Sequence, residues 1–572
     1  MTTFLKKTSL LFTVALVAQF AIAQTHADGL EAMQTENWDK AIEVYTALTK
    51  ATPADQTAFL TMGNAWLAKG DKDKAKANFE AAFNAKPEGP FAFIANGRVL
   101  LLQNNMAEAD KQFAKAAKYG KKDVAALRQI GESYLYTPPG VKPNFTRAEE
   151  LLKNAVDVGP KDFTTLMTLG YCYKEMPNGG LAAQQYELAE AVEPKNPLAK
   201  LMLAKVYKAA KLPEKATDFY DKAIAVSPSY TPALRARAEH YYYSRKWDKA
   251  TESYKELIAK GAAVKVEDEM QLANCLFITK DYKACSELVE KIIKKDGSKN
   301  YLRRLLGYCY YESGEYQKGM EVMNDYFTKV TPDKVISTDY LYLGRMQVKT
   351  KGDTIAAIDN LKKGIKMDSS AWVVRKEIGD LYYAKKKWCE TAQSYLMYFD
   401  SLQKPDAAEY YKLGNAQMFC KDDTMRYMTA EKTFVKVTEL SPKSASGWLA
   451  AAKAAKPQDP TPDQIAADPN LANQYGKALR YFEKYVEIAG AEKEKNKKDL
   501  LLAYNYMAYC YFVKNDAPKF NDATTKWMEL ETDPAKQQTI NDMKNAFGKE
   551  AAPAPAGGAP ITPSATGGGG KG

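Results

Sequence analysis

The stretch FLTMGNAWLAKGDKDKAKANFEAAFNAKP, residues Phe59–Pro87, contains the pattern that decides the fold of the whole chain. Gly63 is followed after twelve residues by a second small residue, Ala75, and after sixteen by the bulky Phe79. Apolar residues three and four apart indicate helices, and the polar sequence KGDKDK separates two of them. The stretch therefore predicts a helical hairpin.

The same spacing recurs along most of the chain, with a small residue returning at steps of mostly 34 or 35 residues. The series is Gly63, Gly97, Gly131, Gly170, Ala204, Ala238, Ala273, Gly307, Gly344, Gly379 and Gly414. The 39-residue step after Gly131 contains a Pro/Gly insert, and the 37-residue step after Gly307 contains a longer linker. Such inserts lengthen loops without changing the packing register. We expect the small residues to let the two helices of each hairpin approach closely, and the bulky residues to fill the space between hairpins.

These residues resemble the tetratricopeptide repeat family, as does ALRARAEHYYYSRKWDKATESYKELI, residues Ala233–Ile258. The resemblance covers residues 28–547 and implies an all-α fold, a right-handed superhelical solenoid of about fourteen helix–turn–helix units. Degenerate units are expected at 444–490 and 497–533. The first unit is expected to be truncated, because an amino-terminal leader takes most of its first helix.

The amino terminus predicts a signal peptide over residues 1–23. Lys6 and Lys7 precede the apolar run LLFTVALVAQFAIA, which ends in small residues suited to cleavage before Gln24. The first cysteine is Cys172, so a lipid anchor at the cleavage site is not supported. The mature chain is expected to be periplasmic or otherwise exported, with no transmembrane anchor.

Four segments depart from the regular units within the predicted domain at 24–547 and after it. Inserts are expected at 137–144 and at 455–474, the latter as a proline-rich loop inside one unit. Residues 534–547 predict a terminal helix that covers the last apolar face, as solenoid ends require. The Ala/Pro/Gly-rich tail at 548–572 predicts disorder.

The composition offers little catalytic chemistry. The net charge is +11, or +9 without the leader lysines, and the charges alternate along the chain, which argues against a nucleic-acid partner. Only two histidines are present, His26 and His240, too few for a zinc site or a histidine-based triad. No phosphate-binding loop is found. We therefore expect a protein that is not an enzyme and needs no cofactor or metal, although a hydrolase that uses carboxylates remains a third hypothesis.

The resemblance also implies a concave groove that is lined by the first helices of the units and binds protein or peptide segments. Its side chains should lie one and four residues after each small residue and three before it. The candidates are Arg235, Glu239, Tyr242, Asn274, Arg304, Tyr308, Tyr311, Leu341, Arg345, Val348, Lys376, Asp380, Tyr383, Tyr411 and Asn415. Arginine and tyrosine are typical of binding hot spots, although many of the 37 tyrosines could simply lie along helix surfaces. A carboxylate clamp of the chaperone-binding type is not expected, because Asp380 stands where that clamp needs asparagine.

The seven cysteines allow two interpretations. Four lie two residues after a small residue, which favours burial as small apolar side chains: Cys172, Cys275, Cys309 and Cys510. Export would also permit disulfides. In a solenoid of hairpins, the start of one second helix lies beside the end of the next first helix. The candidate disulfides are therefore Cys285–Cys309 and Cys389–Cys420.

The leading hypothesis is a non-catalytic scaffold of the bacterial envelope that holds protein partners of unknown identity in the groove. The alternative is a binding module for glycans or cell-wall polymer, with groove tyrosines as stacking platforms.

Overall fold

A computed structural model of the protein describes residues 26–401 and 404–549. Within these ranges the chain is all-α and contains no strand, and none of its helices has the length and apolar character that crossing a membrane requires. The predicted signal peptide and residues 550–572 of the predicted tail lie outside the described residues. The chain divides into two compact units, with the boundary between Lys299 and Asn300. They are called unit 1 and unit 2.

Unit 1 consists of eight helical hairpins, in which each odd-numbered helix packs against the even-numbered helix that follows it. Its helices are α1 (26–34), α2 (Trp38–Ala51), α3 (Gln56–Ala68), α4 (Lys72–Ala85), α5 (Pro90–Leu102), α6 (Met106–Tyr119), α7 (Val124–Leu135), α8 (Phe145–Val158), α9 (Phe163–Glu175), α10 (Gly179–Val192), α11 (Pro197–Ala209), α12 (Pro213–Val226), α13 (Thr231–Tyr243), α14 (Trp247–Lys260), α15 (Val266–Ile278) and α16 (Tyr282–Lys295).

Unit 2 continues the pattern with six more hairpins and a final single helix. Its helices are α17 (Tyr301–Glu312), α18 (Tyr316–Lys329), α19 (Ser337–Lys349), α20 (Thr354–Met367), α21 (Val374–Ala384), α22 (Trp388–Phe399), α23 (Ala407–Phe419), α24 (Arg426–Leu440), α25 (Ala445–Ala455), α26 (Pro462–Ala467), α27 (Leu479–Ala489), α28 (Lys493–Val513), α29 (Ala517–Leu530) and α30 (Pro534–Ala546). In the fifth hairpin α25 packs against α27, and α26 belongs to the insert between them.

Local chemistry explains where the hairpins begin and turn. Many helices start at an Asp or Asn whose side chain accepts a backbone hydrogen bond, as Asp71 does from the amide of Lys74. The turn before Asp71 contains Gly70 at a φ of 83°, in the left-handed region that a side chain disfavours. These short-range signals fix the hairpin ends that the sequence predicts.

In several repeats the small residue of the first helix is a glycine that makes room for an aromatic ring of its own hairpin. A Cβ atom on Gly63 would lie 2.2 Å from Cε1 of Phe79, sixteen residues along the chain. Gly29 of α1 faces Tyr45 of α2 in the same way, at 2.5 Å. The ring of Phe79 lies over the glycine of its own hairpin and also faces the next hairpin, with the guanidinium carbon of Arg98 5.4 Å from the ring centroid. The first hairpin has the same packing contact, although α1 is described only over residues 26–34 and is shorter than α3.

The second insert is ordered rather than an open loop. Residues 455–474 contain α26 and two short 3-10 helices, Lys456–Gln458 and Pro469–Gln474. The carboxylate of Asp459 accepts hydrogen bonds from the amides of Gly476 at 3.1 Å and Lys477 at 2.9 Å, and also from the hydroxyl of Tyr506. These bonds tie the insert to α28.

The last helix that the structure describes is α30, at the position of the predicted terminal helix. Ile540 and Met543 of α30 are buried, and Phe547 stacks on Phe520 with ring centroids 4.4 Å apart. These contacts cover apolar surface of the last hairpin that would otherwise face water.

Candidate functional site

In unit 1 the predicted groove residue Arg235 is held by an aspartate of the next hairpin. Its Nε donates to Oδ1 of Asp268 and its Nη2 to Oδ2, each at 2.8 Å, and Nη2 also donates to the carbonyl oxygen of Ala263 at 2.7 Å. Asp268 is buried and also accepts from the amide of Lys265, which starts α15. Most of the hydrogen-bonding capacity of Arg235 is thus used within the protein.

Three other predicted groove residues of unit 1 remain partly exposed. Tyr242 packs edge-on against Trp247 with the ring centroids 5.4 Å apart and contacts Asn274 of α15, the first helix of the next hairpin. Glu239 is half-buried, and this burial raises the pKa of its carboxyl group. They leave a small partly polar surface beside the Arg235–Asp268 pair.

In unit 2 the same arrangement surrounds Arg304. Its Nε donates to Oδ1 of Asp339 at 2.7 Å and its Nη2 to Oδ2 at 3.0 Å. The hydroxyls of Tyr308 and Tyr326 donate to the same carboxylate, at 2.6 and 3.3 Å. Asp339 is fully buried, and its neighbour Tyr308 is only 7% exposed. Tyr308 therefore offers no open ring face for a glycan.

A third pair of this kind, between a basic residue and a carboxylate of the next hairpin, joins Lys376 to Glu409. Nζ of Lys376 donates to Oε1 of Glu409 at 2.6 Å, and Tyr398 donates to the same oxygen at 3.0 Å. Burial opposes ionisation of Glu409, but the bond from Lys376 holds its pKa below the usual value. The ammonium group of Lys376 is therefore paired with a carboxylate of its own chain.

The three carboxylates share one position within the repeat, which the groove prediction did not include. Asp268, Asp339 and Glu409 each lie five residues before the small residue of their unit, and each accepts a hydrogen bond from the backbone amide of the residue that caps the start of its helix. Their basic partners lie three residues before the small residue of the preceding unit. This paired spacing was the signal that could have identified the contact.

A different set of predicted groove residues of unit 2 remains at the surface. Nε and Nη2 of Arg345 donate to the two carboxylate oxygens of Glu377, at 3.0 and 2.7 Å, and both side chains are about one-third exposed. In the next hairpin Asp380 pairs with Lys412, again with half-exposed side chains. Each pair joins the first helices of two consecutive hairpins.

Aromatic and amide side chains extend this surface. The ring of Tyr342 stacks on that of Tyr308 at 4.0 Å and meets Tyr311 edge-on at 5.1 Å. The amide of Asn415 donates to the hydroxyl of Tyr383 at 3.2 Å. We call the resulting surface the polar strip, and it consists of Tyr311, Tyr342, Arg345, Glu377, Asp380, Tyr383, Lys412 and Asn415.

The remaining predicted groove residues lie partly or wholly in packed surroundings. Leu341 is buried and belongs to a core cluster with Ile358. Tyr411 is half-buried with its ring 5.6 Å from that of Phe434, and this burial raises the pKa of its hydroxyl group. Val348 is half-buried.

The first helices of the amino-terminal hairpins form a buried polar cluster, which the repeat pattern does not predict. Arg98 is fully buried and donates to Oγ of Ser133 at 2.9 Å and to the carbonyl oxygen of Leu60 at 3.0 Å. Asn64 donates to Glu132 at 3.2 Å across two hairpins. The side chains that would bind a partner there instead bind one another.

The cysteines behave differently from one another. Cys389 and Cys420 form a disulfide with a Cα–Cα distance of 4.8 Å. Cys285 and Cys309 do not, and the prediction of a bridge between them was wrong. Cys285 lies twelve residues after the small residue of its unit whereas Cys389 lies ten after its own, a rotation of over half a turn on a helix. Sγ of Cys285 therefore points into its own hairpin, 3.2 Å from the carbonyl oxygen of Ala273.

In the part of the chain that the structure describes, no set of three His, Cys, Asp or Glu side chains is arranged to hold a metal ion. Burial raises the pKa of the Cys172 thiol to about 12, so its nucleophilic thiolate form is disfavoured at neutral pH. Burial also lowers the pKa of His240.

Comparison with known proteins agrees with the hairpin architecture. Residues 26–90 match the sequence profile of the family described as tetratricopeptide repeat. No curated protein matches the sequence.

Several solved structures resemble segments of the chain. The C-terminal part of a TPR repeat-containing protein from Cytophaga hutchinsonii is 28% identical, with 46% of this chain and 97% of that chain covered and a TM-score of 0.32. A tetratricopeptide repeat protein from Parabacteroides merdae is 19% identical, with 45% and 98% covered and a TM-score of 0.28. The pilF protein of Pseudomonas aeruginosa is 18% identical, with 35% and 90% covered and a TM-score of 0.26. All three TM-scores are too low to imply a common overall superposition.

Proposed function

We propose that the polar strip of unit 2 binds a segment of a partner protein, as the resemblance to tetratricopeptide repeats, matched by the family profile over residues 26–90, implies. The polar strip is the predicted groove surface that keeps exposed charge after the internal pairs are formed. It combines Arg345 and Lys412 with the tyrosines that are typical of binding hot spots. This combination is the observation that carries the proposal.

The geometry of the polar strip favours binding at low entropic cost. Arg345 is held by two hydrogen bonds to Glu377, and Tyr383 is held by Asn415. Side chains that are already ordered lose less conformational freedom when a partner binds. A partner segment with charges complementary to the Arg345–Glu377 and Asp380–Lys412 pairs would meet a pre-organised surface.

A charge swap tests this proposal without removing the internal pair. The double variant R345E/E377R keeps two opposite charges facing each other but reverses their order along the polar strip. The matched control is K436E/E439K, which swaps an exposed pair on α24, a second helix of its hairpin. Purified full-length variants are used to capture cross-linked partners from extracts of the native host, and the captured proteins are identified by mass spectrometry.

We expect the wild-type chain and the α24 control to retain one stoichiometric partner that R345E/E377R loses. Retention of every partner by R345E/E377R would overturn the assignment of the binding surface. A chain that captures no stoichiometric protein would overturn the scaffold function in this host.

We also propose that the protein works in an oxidising compartment of the bacterial envelope. The Cys389–Cys420 disulfide supports this proposal, because disulfides persist in exported proteins and are rare in the reducing cytosol. The predicted leader supports it independently. Thiol labelling of the protein in intact cells should leave Cys389 and Cys420 unlabelled until a reductant is added; labelling without a reductant would argue against export.

A further inference from the structure

Three consecutive turns of unit 1 place a basic residue where the backbone disfavours one. Lys211, Arg245 and Lys280 have φ values of 59°, 56° and 65°, in the left-handed region. Glycine and asparagine adopt this region most easily. The chain itself uses Gly70 and Asn104 at the equivalent turns of earlier hairpins. The choice of a long cationic side chain three times in succession is therefore not explained by the turn.

Each of these turns also exposes a large apolar side chain. Leu212, next to Lys211, is 44% exposed, and Tyr243, two residues before Arg245, is 70% exposed. Ile278, two residues before Lys280, is 43% exposed. Scattered apolar residues on a surface need no explanation, but their recurrence at the same turn of three successive hairpins does.

The side chains of these turns approach one another along one edge of the unit. Nζ of Lys246 lies 3.6 Å from a carboxylate oxygen of Glu214, joining the first turn to the second. Nζ of Lys208 lies over the ring of Tyr243, 6.0 Å from its centroid. Helices α14 and α15 pack together, which brings the third hairpin alongside the second. We call this surface the turn edge, and it consists of Lys211, Leu212, Tyr243, Arg245, Ile278 and Lys280.

The turn edge carries an excess of positive charge. Residues 208–215, 245–249 and 280–283 contain eight basic and three acidic residues. Two of the acidic residues are engaged locally, Glu214 with Lys246 and Asp281 as the cap of α16. In the described part of the chain, Lys211, Arg245 and Lys280 form no ion pair, although all three are exposed. Their charges are available to an external anion.

We propose that the turn edge of unit 1 binds to the surface of an anionic lipid bilayer. Basic side chains are attracted to anionic head groups, and exposed aliphatic and aromatic side chains enter the interfacial region beneath them. A soluble polyanion would use the charges but would leave Leu212, Tyr243 and Ile278 in water. This membrane contact goes beyond partner binding and uses different residues from the polar strip.

Co-sedimentation of the full chain with vesicles tests the proposal. The vesicles are equimolar phosphatidylglycerol and phosphatidylcholine, or phosphatidylcholine alone. We expect binding to the anionic vesicles, and on the order of 100-fold weaker binding for K211E/R245E/K280E. The matched control K195E/K265E/K294E makes the same charge change at exposed lysines at the opposite ends of the hairpins. We expect this control variant to lose far less of its binding to the anionic vesicles.

Two further variants separate charge, apolar contact and folding. K211N/R245N/K280N puts a residue suited to the left-handed turn at each position, so it should fold at least as well as the wild type and still bind vesicles poorly. L212S/Y243S/I278S keeps every charge and should also bind poorly.

Three outcomes would overturn the proposal. They are equal binding to both kinds of vesicle or to neither, equal losses in the two glutamate triple variants, and unchanged binding of L212S/Y243S/I278S. The last outcome would indicate a site for a soluble polyanion rather than for a membrane.

Discussion

The guanidinium group of Arg304 binds both carboxylate oxygens of Asp339, a fully buried residue of the following hairpin, at 2.7 and 3.0 Å. Arg235 and Asp268 repeat the relationship in unit 1, and Lys376 and Glu409 repeat it in unit 2. The basic residue lies in the first helix of one hairpin, three residues before its small residue, and the acid lies in the first turn of the first helix of the next hairpin. These pairs stabilise the packing of neighbouring hairpins.

Removing the carboxylate of Asp339 should be strongly destabilising. In Asp339→Ala the guanidinium of Arg304 and the hydroxyl of Tyr308 lose a partner in a buried setting, which typically costs about 3 kcal/mol or more. Urea denaturation of the full chain, followed by circular dichroism, measures the free energy of unfolding. The control Glu377→Ala breaks a half-exposed pair and should cost less than about 1 kcal/mol. Equal losses in the two variants would contradict the structural role of Asp339.

Adding one methyl group at Gly63 should also destabilise the protein. A Cβ atom there would lie 2.2 Å from the ring of Phe79, so Gly63→Ala forces the ring or the helix to move, at about 1–3 kcal/mol. The double variant G63A/F79L should recover part of the loss, measured as the thermal midpoint. Gly180→Ala is the control, because its nearest neighbour is 3.9 Å away and alanine favours the helix. A loss at Gly180 as large as that at Gly63 would contradict this packing argument.

The disulfide should contribute to stability through the loop that it closes. Cys389 and Cys420 are 31 residues apart, and closing a loop of that length corresponds to roughly 3–4 kcal/mol in the chain-entropy model. The variant C389S/C420S should therefore unfold at lower urea concentration than the oxidised wild type. Adding a reductant should lower the wild-type midpoint and leave C389S/C420S unchanged. A reductant effect on the double variant would assign the change to another cysteine.

Glu31 should make the stability of unit 1 depend on pH. Burial raises the pKa of Glu31 from 4.5 to about 7, and the nearby carboxylate of Asp28 adds to the shift. Between these two values the folded state binds more protons than the unfolded state, so stability falls as pH rises from about 4.5 to about 7. The shift corresponds to at most about 3 kcal/mol.

The variant Glu31→Gln tests this dependence directly. It cannot ionise, so it should be more stable than the wild type at pH 8 and similar to it near pH 4.5. The measurement is the difference in unfolding free energy between the two proteins across the pH range. A difference that is constant with pH would assign the titration to another group.

Most of the fold could be predicted from the sequence because its determinants are local. The spacing between Gly63 and Phe79 falls within one hairpin, and so do the helix caps and the turn at Gly70. Because these contacts join residues close in the sequence, they appear there as a regular pattern of small, bulky and polar residues. That pattern predicts helical hairpins, their approximate number and the terminal helix.

The candidate site could be predicted only in part. The sequence placed Arg304, Arg345 and Lys376 at equivalent groove positions or close to them, yet Arg304 and Lys376 are bound to buried acids while Arg345 remains at the surface. The two engaged residues lie three residues before a small residue and face an acid of the next repeat, whereas Arg345 lies one residue after Gly344, so the pairing follows from contacts between repeats rather than from the pattern within one.

By itself, the sequence determined the repeating helical hairpin, because a glycine, an aromatic residue and a capped turn act within one repeat. Only the tertiary structure decided which polar side chains remain accessible, which cysteines are joined, and that Arg98 is buried among the first helices. Those outcomes depend on contacts between residues about 30 or more positions apart. Such contacts form only once neighbouring hairpins have packed, and packing geometry, rather than residue order, then sets their distances.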